Sequence, residues 1–163
     1  MPIFGYDDAG KTSAGLSLRL RSAATSTYGT SAGTVSIVVP SLDAAARELS
    51  AKYGLKIGST RVNDEQGVRM AYVELGDAKI ELMEPSRADS PVSKFLERNP
   101  RGGIHHFCLK VDDVAATSSA IRAKGVRVLG DGRPQLNVHG ERIAFVHPQD
   151  FLGALVELEE RKK

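Results

Sequence analysis

Apolar and polar positions recur along this chain in two copies of one order. Residues 35–39 and residues 107–111 each alternate between apolar side chains and smaller or polar ones. Alternation of this kind predicts a β-strand with one buried face. Each strand leads into a helical pattern that stops at a glycine, Gly54 or Gly125, the residue type that most readily ends a helix.

The two copies continue in parallel through the same series of elements. The helices follow possible N-caps, which are Ser41 or Asp43 in the first copy and Asp112 or Asp113 in the second. Each helix is followed by three strands, and the middle strand of each copy is entered through a glycine. The predicted helices cover residues 44–53 and 114–124, and the predicted strands cover residues 55–57, 67–73, 78–82, 126–128, 140–146 and 154–158.

The repeat predicts an α+β fold of two tandem βαβββ modules, residues 34–85 and 104–160, within one domain over residues 34–163. Residues 86–103 form the linker, with a short helix near residues 92–98. One helix covers only one face of a four-stranded sheet. Two modules side by side therefore predict a curved mixed sheet with a cavity on its uncovered, concave face.

Strand alternation places four polar positions in this predicted cavity. Thr34 and His106 occupy matching positions near the opening strands, and Glu81 and Glu157 occupy matching positions in the closing strands. One imidazole and two carboxylates form a mixed donor set that suits cobalt, zinc, manganese or iron. A single strand glutamate is commonly a solvated edge residue. Two glutamates at matching positions opposite a histidine instead predict a metal-centred cavity.

Composition narrows the possible functions. Hydrophobic residues make up 41% and charged residues 26% of the chain, as in ordinary globular domains. A net charge of +2, from 22 basic and 20 acidic residues, argues against nucleic-acid binding. No apolar run approaches the roughly 20 residues of a membrane span. The single cysteine, Cys108, excludes an internal disulfide and a zinc site built on several cysteines.

The first 33 residues differ from the rest of the chain because they are rich in Gly, Ser, Thr and Ala. Residues 16–33 hold two arginines and no acidic residue, a composition typical of a mitochondrial transit peptide. Asp7 and Asp8 do not suit that interpretation. A disordered tail or a mis-assigned start codon would explain the same composition, so residues 1–33 are left out of the predicted fold.

Seven segments of the chain resemble one known enzyme family, in the same order. The most specific are the Gly-Gly-x-His-His segment at residues 102–106 and the run from His139 to Pro148. The seven segments are residues 65–68, 79–85, 89–96, 102–106, 139–142, 145–148 and 155–159. The chain is therefore similar to the methylmalonyl-CoA epimerases of the vicinal oxygen chelate superfamily, whose members share a glyoxalase-like fold.

The resemblance implies an enzyme that interconverts (R)- and (S)-methylmalonyl-CoA by 1,1-proton transfer through a metal-stabilised enolate. It implies metal ligands at His106, Glu81 and Glu157, and proton-transfer groups at Glu65 and Glu157. The implied cofactor is one divalent metal ion, and the implied partners are an acyl-CoA substrate and a second copy of the chain in a homodimer. The implied location is the mitochondrial matrix in a eukaryote and the cytoplasm otherwise.

Thr34 departs from the family pattern, which has a histidine at this position. Threonine is a poor ligand for these metals, and three explanations stay open. The metal could be held by three residues and water, a gene-model error could have altered the start of the domain, or the activity could be lost. The last case would leave a metal-poor or metal-free ligand-binding protein, the main alternative function. A glyoxalase-type isomerase or a ring-cleaving dioxygenase fits the seven segments less well.

Further polar residues are candidates for substrate contacts. His139, His147 and Gln66 are predicted to bind substrate, although His147 could instead shape the turn before Pro148. His105, on the opposite strand face from His106, is expected to be buried and hydrogen-bonded. Four cations could meet the phosphates of coenzyme A or be plain surface residues: Lys94, Arg98, Arg101 and Arg133.

Overall fold

The computed structural model describes residues 31–75 and 78–162. Residues 1–30 of the predicted tail lie outside the described residues, and Ser31 already begins the first strand. The strands are β1 (Ser31–Val38), β2 (Lys56–Ile57), β3 (Arg61–Asn63), β4 (Val68–Leu75), β5 (Ala78–Pro85), β6 (Gly103–Val111), β7 (Gln135–Leu136), β8 (Arg142–Val146) and β9 (Val156–Glu160). The helices are α1 (Leu42–Tyr53), α2 (Pro91–Arg98) and α3 (Val114–Arg122), and a 3-10 turn covers Pro148–Asp150.

The strands form one mixed sheet in which the two halves mirror each other. The strand order is β2-β4-β5-β1-β6-β9-β8-β7, and β3 also pairs with β4. Strand β1 runs parallel to β5, and β6 runs parallel to β9, while β1 and β6 pair antiparallel at the centre. This arrangement confirms the predicted α+β fold of two tandem βαβββ modules.

Helices α1 and α3 cover the same face of the sheet, one over each module. Leu42 of α1 packs on Val73 and Leu82, and Val114 of α3 packs on Val156 and Leu158. The predicted caps form as expected. Ser41 accepts a hydrogen bond from the backbone N–H of Ala44, and Asp113 accepts one from the backbone N–H of Ala116. Gly54 ends α1 with φ of +65°, a left-handed conformation that favours glycine. The opposite, concave face of the sheet is left open at its centre.

Helix α2 closes one end of the concave face. Its Val92 packs with Val38, Val68 and Met83 in a separate apolar cluster. The predicted linker helix is therefore confirmed. None of the helices in the described part of the chain is long and apolar enough to cross a membrane.

The second module differs from the sequence prediction at its outer edge. Residues 126–128 form a single bridge between Val128 and Val146 rather than a strand. Helix α3 ends at Arg122, two residues before the predicted end. Phe107 was expected to pack beneath the helices, but its side chain is 38% exposed because α1 and α3 leave the centre of the convex face uncovered.

Candidate active site

Two β-bulges in the central β1–β6 ladder mark the site. Between Ala32 and Val35, two residues of β1 stand opposite one residue of β6, and between Ser36 and Ile37 the extra residue lies in β6. The first bulge contains Gly33 and Thr34, and the extra residue of the second bulge is His105, next to His106, so both bulges lie beside the positions that the repeat matches. A bulge turns its side chains relative to the regular ladder, and bulges are frequent beside active sites.

Gly33 allows the first bulge to form. A Cβ atom at this position would lie 2.7 Å from Sγ of Cys108 and 2.8 Å from its carbonyl oxygen. Real Cβ atoms do not approach other heavy atoms this closely, so the strand pair needs glycine here. The bulge leaves Thr34 facing the concave side, as the alternation predicted.

One cavity on the concave face collects the predicted ligands. Thr34, Gln66, Glu81, His106 and Glu157 all line it. Glu81, His106 and Glu157 are 8%, 4% and 8% exposed. Carboxylates are seldom buried to this extent, and a buried carboxylate needs hydrogen-bond partners. His106 on β6 and Glu157 on the neighbouring β9 are in direct contact, with Nε2 and Oε2 2.8 Å apart.

A directed chain of hydrogen bonds holds Glu81. Ser36 Oγ donates to Glu81 Oε2 at 2.6 Å, and Tyr72 Oη donates to Glu81 Oε1 at 3.0 Å. His139 Nε2 lies 3.2 Å from Tyr72 Oη, and Arg61 Nη1 lies 3.1 Å from His139 Nδ1. Because arginine can only donate, His139 accepts at Nδ1 and carries its proton on Nε2, which it donates to Tyr72. The chain therefore ends on Glu81, both of whose oxygens accept hydrogen bonds.

Burial keeps the proton on Tyr72. Its pKa is raised by desolvation and by the negative charge and hydrogen bond of Glu81. Burial also raises the pKa of the Cys108 thiol, and the negative charges of Glu157 and Glu159 raise it further. The thiol is therefore not an activated nucleophile.

His105 and His106 form a second proton-ordered pair. Their Nδ1 atoms are 2.9 Å apart, so one donates and the other accepts. When His106 donates from Nε2 to Glu157, its Nδ1 is left to accept, which makes His105 the donor. Burial, with a smaller contribution from His106, lowers the pKa of His105 to about 4. The ring of His105 also meets Phe95 edge-on at 5.1 Å, so this histidine is hydrogen-bonded as expected but half-buried rather than buried.

Apolar side chains complete the cavity wall. Met70, Met83, Val138 and Phe145 line the same space as the polar residues. The ring of Phe145 lies edge-on to His106 with centroids 5.6 Å apart. A wall of this kind lowers the local dielectric constant and strengthens interactions between the cavity charges and a bound substrate.

Of the other predicted site residues, Gln66 lines this cavity and three lie around it, namely Glu65, His139 and His147. Gln66 lines it from the turn between β3 and β4, whereas the neighbouring Glu65 is exposed. His139 lines an adjoining open pocket. His147 caps the 3-10 turn, where its Nδ1 accepts a hydrogen bond from the backbone N–H of Gln149. The roles of Glu65 and His147 in binding or catalysis stay predictions.

The donor chemistry of the cavity fits a divalent cation. Within residues 31–75 and 78–162, no three His, Cys, Asp or Glu side chains are arranged around a common point. His106 and Glu157 are in direct contact, while Glu81 is bound by Ser36 and Tyr72. One imidazole and two carboxylates still form a donor set that borderline divalent metals accept.

Sequence reasoning did not identify two residues of this site, Tyr72 and Ser36, as partners of Glu81. Tyr72 alternates with Ala71 and Val73, both of which pack beneath α1. That alternation was sufficient to place Tyr72 on the cavity face. The hydrogen bonds to Glu81 depend on strand register, which brings Tyr72 and Ser36 opposite Glu81 on its two sides.

Residues 34–145 match the sequence model of the Glyoxalase/Bleomycin resistance protein/Dioxygenase superfamily, and the chain belongs to this superfamily. Over 126 residues it is 43% identical to the ethylmalonyl-CoA/methylmalonyl-CoA epimerase of Cereibacter sphaeroides, covering 77% of this chain and 94% of that protein. The mitochondrial methylmalonyl-CoA epimerase of Mus musculus is 36% identical over 126 residues, covering 77% of this chain and 70% of that protein. Within the superfamily, the chain therefore belongs to the methylmalonyl-CoA epimerase family.

Solved structures agree with this assignment. A methylmalonyl-CoA epimerase in complex with methylmalonyl-CoA and NH4+ is similar with a TM-score of 0.73 at 40% identity, covering 80% of this chain and 94% of that one. The methylmalonyl-CoA epimerase from Mycobacterium tuberculosis has a TM-score of 0.75 at 32% identity, covering 86% and 93%.

Proposed function

We propose that this protein is an epimerase that interconverts the (R) and (S) forms of methylmalonyl-CoA. The observation that carries the proposal is the pairing of His106 with Glu157 in an apolar-walled cavity that also contains Glu81. The family membership supports the same activity, because its relatives are named as epimerases of this substrate.

Epimerisation requires removal of the C2 proton and its return to the opposite face. The C2 carbon lies between a thioester and a carboxylate, so the electron pair left behind delocalises into the thioester carbonyl as an enolate. Glu157 is the proposed group on one face: its carboxylate takes the proton, and the hydrogen bond from His106 Nε2 orients it. Glu65 is the proposed group on the other face, and it must turn inward beside Gln66 to reach the substrate.

The enolate carries negative charge that the site must stabilise. The side chains that would hold a divalent cation are Glu157, Glu81 and His106, the last with its ring proton on Nδ1 rather than Nε2, and Thr34 would contribute weakly. A bound divalent cation supplies Lewis-acid stabilisation of the thioester and carboxylate oxygens. The chain's own contribution is to orient the donors. Ser36 and Tyr72 fix the carboxylate of Glu81, and His105 fixes the ring of His106.

We also propose that the protein forms a homodimer and that its compartment is the one expected from the resemblance. The relatives include mitochondrial proteins and a bacterial one, which supports the mitochondrial matrix in a eukaryote and the cytoplasm otherwise.

The activity is tested by supplying one epimer and following the other by chiral chromatography. The Glu157→Gln variant is expected to lose about 10²- to 10⁴-fold in kcat, the usual contribution of a positioned general base. Glu97→Gln, an exposed change on α2, is the control and should retain wild-type kinetics. Binding of methylmalonyl-CoA without turnover by the wild type would instead favour the ligand-binding alternative.

A further inference from the structure

Glu81 and Glu157 occupy matching positions of the two modules, but they are held by different groups. Glu157 is held by an imidazole of its own module, since His106 Nε2 lies 2.8 Å from Glu157 Oε2. In the first module the position that matches His106 is Thr34, and β1 contains no histidine. Glu81 accepts from hydroxyl groups instead, one of them the phenol of Tyr72. The opening strand of the first module therefore offers no imidazole to orient its glutamate.

The strand beside each glutamate shows the complementary difference. Tyr72 stands opposite Glu81 in the β4–β5 ladder, and Phe145 stands opposite Glu157 in the β8–β9 ladder. The tyrosine hydroxyl donates to Glu81 Oε1 at 3.0 Å. The phenylalanine ring has no hydroxyl and lies edge-on to His106. The first module therefore has a hydrogen-bond donor at the position where the second module has an apolar ring.

An imidazole from the second module lies behind this donor. His139, in the turn between β7 and β8, has its Nε2 atom 3.2 Å from Tyr72 Oη. The two rings also stack, with centroids 6.0 Å apart and planes at 29°. Because Tyr72 belongs to the first module, this contact joins the two halves of the fold. Glu81 is thus connected to an imidazole through one hydroxyl group, whereas Glu157 contacts its imidazole directly.

Neighbouring groups hold both the turn and the ring of His139. The side chain of Asn137 accepts hydrogen bonds from the backbone N–H groups of His139 and Glu141, at 2.9 and 3.0 Å. Asparagine side chains stabilise turns in this way. At the ring, Arg61 Nη1 lies 3.1 Å from Nδ1. The place of the imidazole and the direction of its hydrogen bonds are therefore both set by the structure around it.

The tautomer of His139 decides where the hydroxyl proton of Tyr72 points. A phenol has a single proton to donate, either to Glu81 or to an imidazole nitrogen. With the ring proton on Nε2, His139 donates to the hydroxyl oxygen, and the hydroxyl proton goes to Glu81. With the ring proton on Nδ1, Nε2 would compete with Glu81 for the hydroxyl proton. Arg61 can only donate, so its contact with Nδ1 selects the first arrangement.

We propose that His139 is a positioning residue, which directs the hydroxyl proton of Tyr72 to Glu81 and so orients that carboxylate for catalysis. This inference rests on the proposed function, to which the role of Glu81 belongs. It replaces the substrate contact expected for His139 from the sequence. Both ring nitrogens of His139 are engaged, one by Arg61 and one by Tyr72, which leaves neither for the substrate.

A double-mutant cycle on kcat/KM for methylmalonyl-CoA tests whether His139 acts through Tyr72. The His139→Phe variant keeps a ring that can stack on Tyr72 but loses the donor. We expect it to lower kcat/KM about three- to tenfold, the range for one hydrogen bond. In the Tyr72→Phe background the same change should cost less than about twofold, because the hydroxyl it acts on is gone.

Two outcomes of the cycle would overturn the proposal. An equal loss in both backgrounds would mean that His139 acts on the substrate without the Tyr72 hydroxyl. No loss in either background would mean that the imidazole does not orient Glu81.

A conservative variant separates hydrogen bonding from packing at the same position. In His139→Gln, the side-chain oxygen can accept from Arg61 and the side-chain nitrogen can donate to Tyr72. We therefore expect His139→Gln to be more active than His139→Phe, although phenylalanine is the closer match in ring shape. If His139→Phe is the equal or the better enzyme, ring packing rather than hydrogen bonding explains the residue, and the proposal is wrong.

Nuclear magnetic resonance of the histidine ring nitrogens tests the inference without turnover. Long-range proton–nitrogen correlations distinguish the two tautomers, and the signals of His139 are those that disappear in His139→Phe. Wild-type protein should carry the ring proton on Nε2, and a proton on Nδ1 would overturn the proposal. Absence of turnover by the wild type would contradict the epimerase proposal, while the tautomer would still test the order of hydrogen bonds that positions Glu81.

Discussion

At the scale of single residues, the site depends on carboxylates whose hydrogen-bond partners fix their orientation. Glu81 accepts from Ser36 and Tyr72, and Glu157 accepts from His106. A buried carboxylate without such donors would take up a proton or turn outward to solvent. The donors therefore hold both groups directed at the cavity.

Tyr72→Phe removes one of these donors while conserving the ring. The variant should fold normally but lose about 10- to 100-fold in kcat/KM, since hydrogen bonds to charged groups are worth about 1.5–3 kcal/mol. Steady-state kinetics measure the loss, with circular dichroism as the test of folding. Tyr53→Phe is the matched control, because Tyr53 is 69% exposed at the end of α1. Equal kinetic constants for Tyr72→Phe and the control would refute the role of the hydroxyl.

Thr34→His places an imidazole at the repeat position that matches His106. The variant should bind a divalent ion such as cobalt at least about tenfold more tightly, since imidazole is a far better ligand than a hydroxyl. Chelator competition measures the affinity without reference to activity. Thr60→His, exposed in the loop between β2 and β3, serves as the control. If both variants bind the ion like wild type, Thr34 does not adjoin a cation site.

The placement of Glu81, His106 and Glu157 on the cavity face could be predicted from the sequence. Side chains alternate between the two faces of a strand, and the repeat gave an independent check on the alternation. The sequence did not predict which group donates and which accepts in each hydrogen bond of the network. Their direction follows from Arg61 being a pure donor to His139, a contact across 78 residues of chain. Such a contact depends on loop geometry, on which alternation carries no information.

At the scale of elements, the β1–β6 ladder and its two bulges determine where the opening-strand ligands point. The approach to the second bulge is tightly constrained. Gly102 has φ of +78°, and a Cβ atom there would clash with the carbonyl oxygen of Val38 on β1. Gly102, the first glycine of the Gly-Gly pair, is therefore required by the close approach of the two central strands.

Gly102→Ala tests this constraint. The variant should lose about 3 kcal/mol in free energy of unfolding, from roughly 1–2 kcal/mol of left-handed backbone strain and a similar cost of overpacking. Gly54→Ala is the matched control. Its φ is +65° with no atom within 4 Å of the added Cβ, so it should lose only the strain, about 1–2 kcal/mol. Chemical denaturation measures both. Equal losses would show that Gly102 is needed for its dihedral angle alone.

The N-caps of α1 and α3 and the end of α1 were predictable because their caps are local, at Ser41, Asp113 and Gly54, whereas the end of α3 was not. The strand predicted at residues 126–128 was wrong. Arg127 there donates to Asp150 of the 3-10 turn from its backbone N–H and its side chain, and Val128 retains a single bridge. The apolar pattern of this segment reflects packing of Val126 and Val128 on the core rather than sheet pairing.

At the scale of the whole molecule, a duplicated module has produced a cavity with two unlike ends. The two halves share topology, register and bulges, yet one end of the cavity is basic and the other apolar. The sequence predicted the duplication and the cavity. It did not predict the polarity of the two ends, because that depends on which loops and termini, among them Lys162, fold over each half.

The central claim is that one cavity between the two modules moves a proton at C2 of methylmalonyl-CoA. Incubation of the substrate with the protein in deuterated water, followed by mass spectrometry, measures this step directly. Wild-type protein should incorporate one deuteron at C2 far faster than the protein-free sample, and Glu157→Gln should fall close to the protein-free rate. Exchange by Glu157→Gln at the wild-type rate, or no enzymatic exchange at all, would contradict the account.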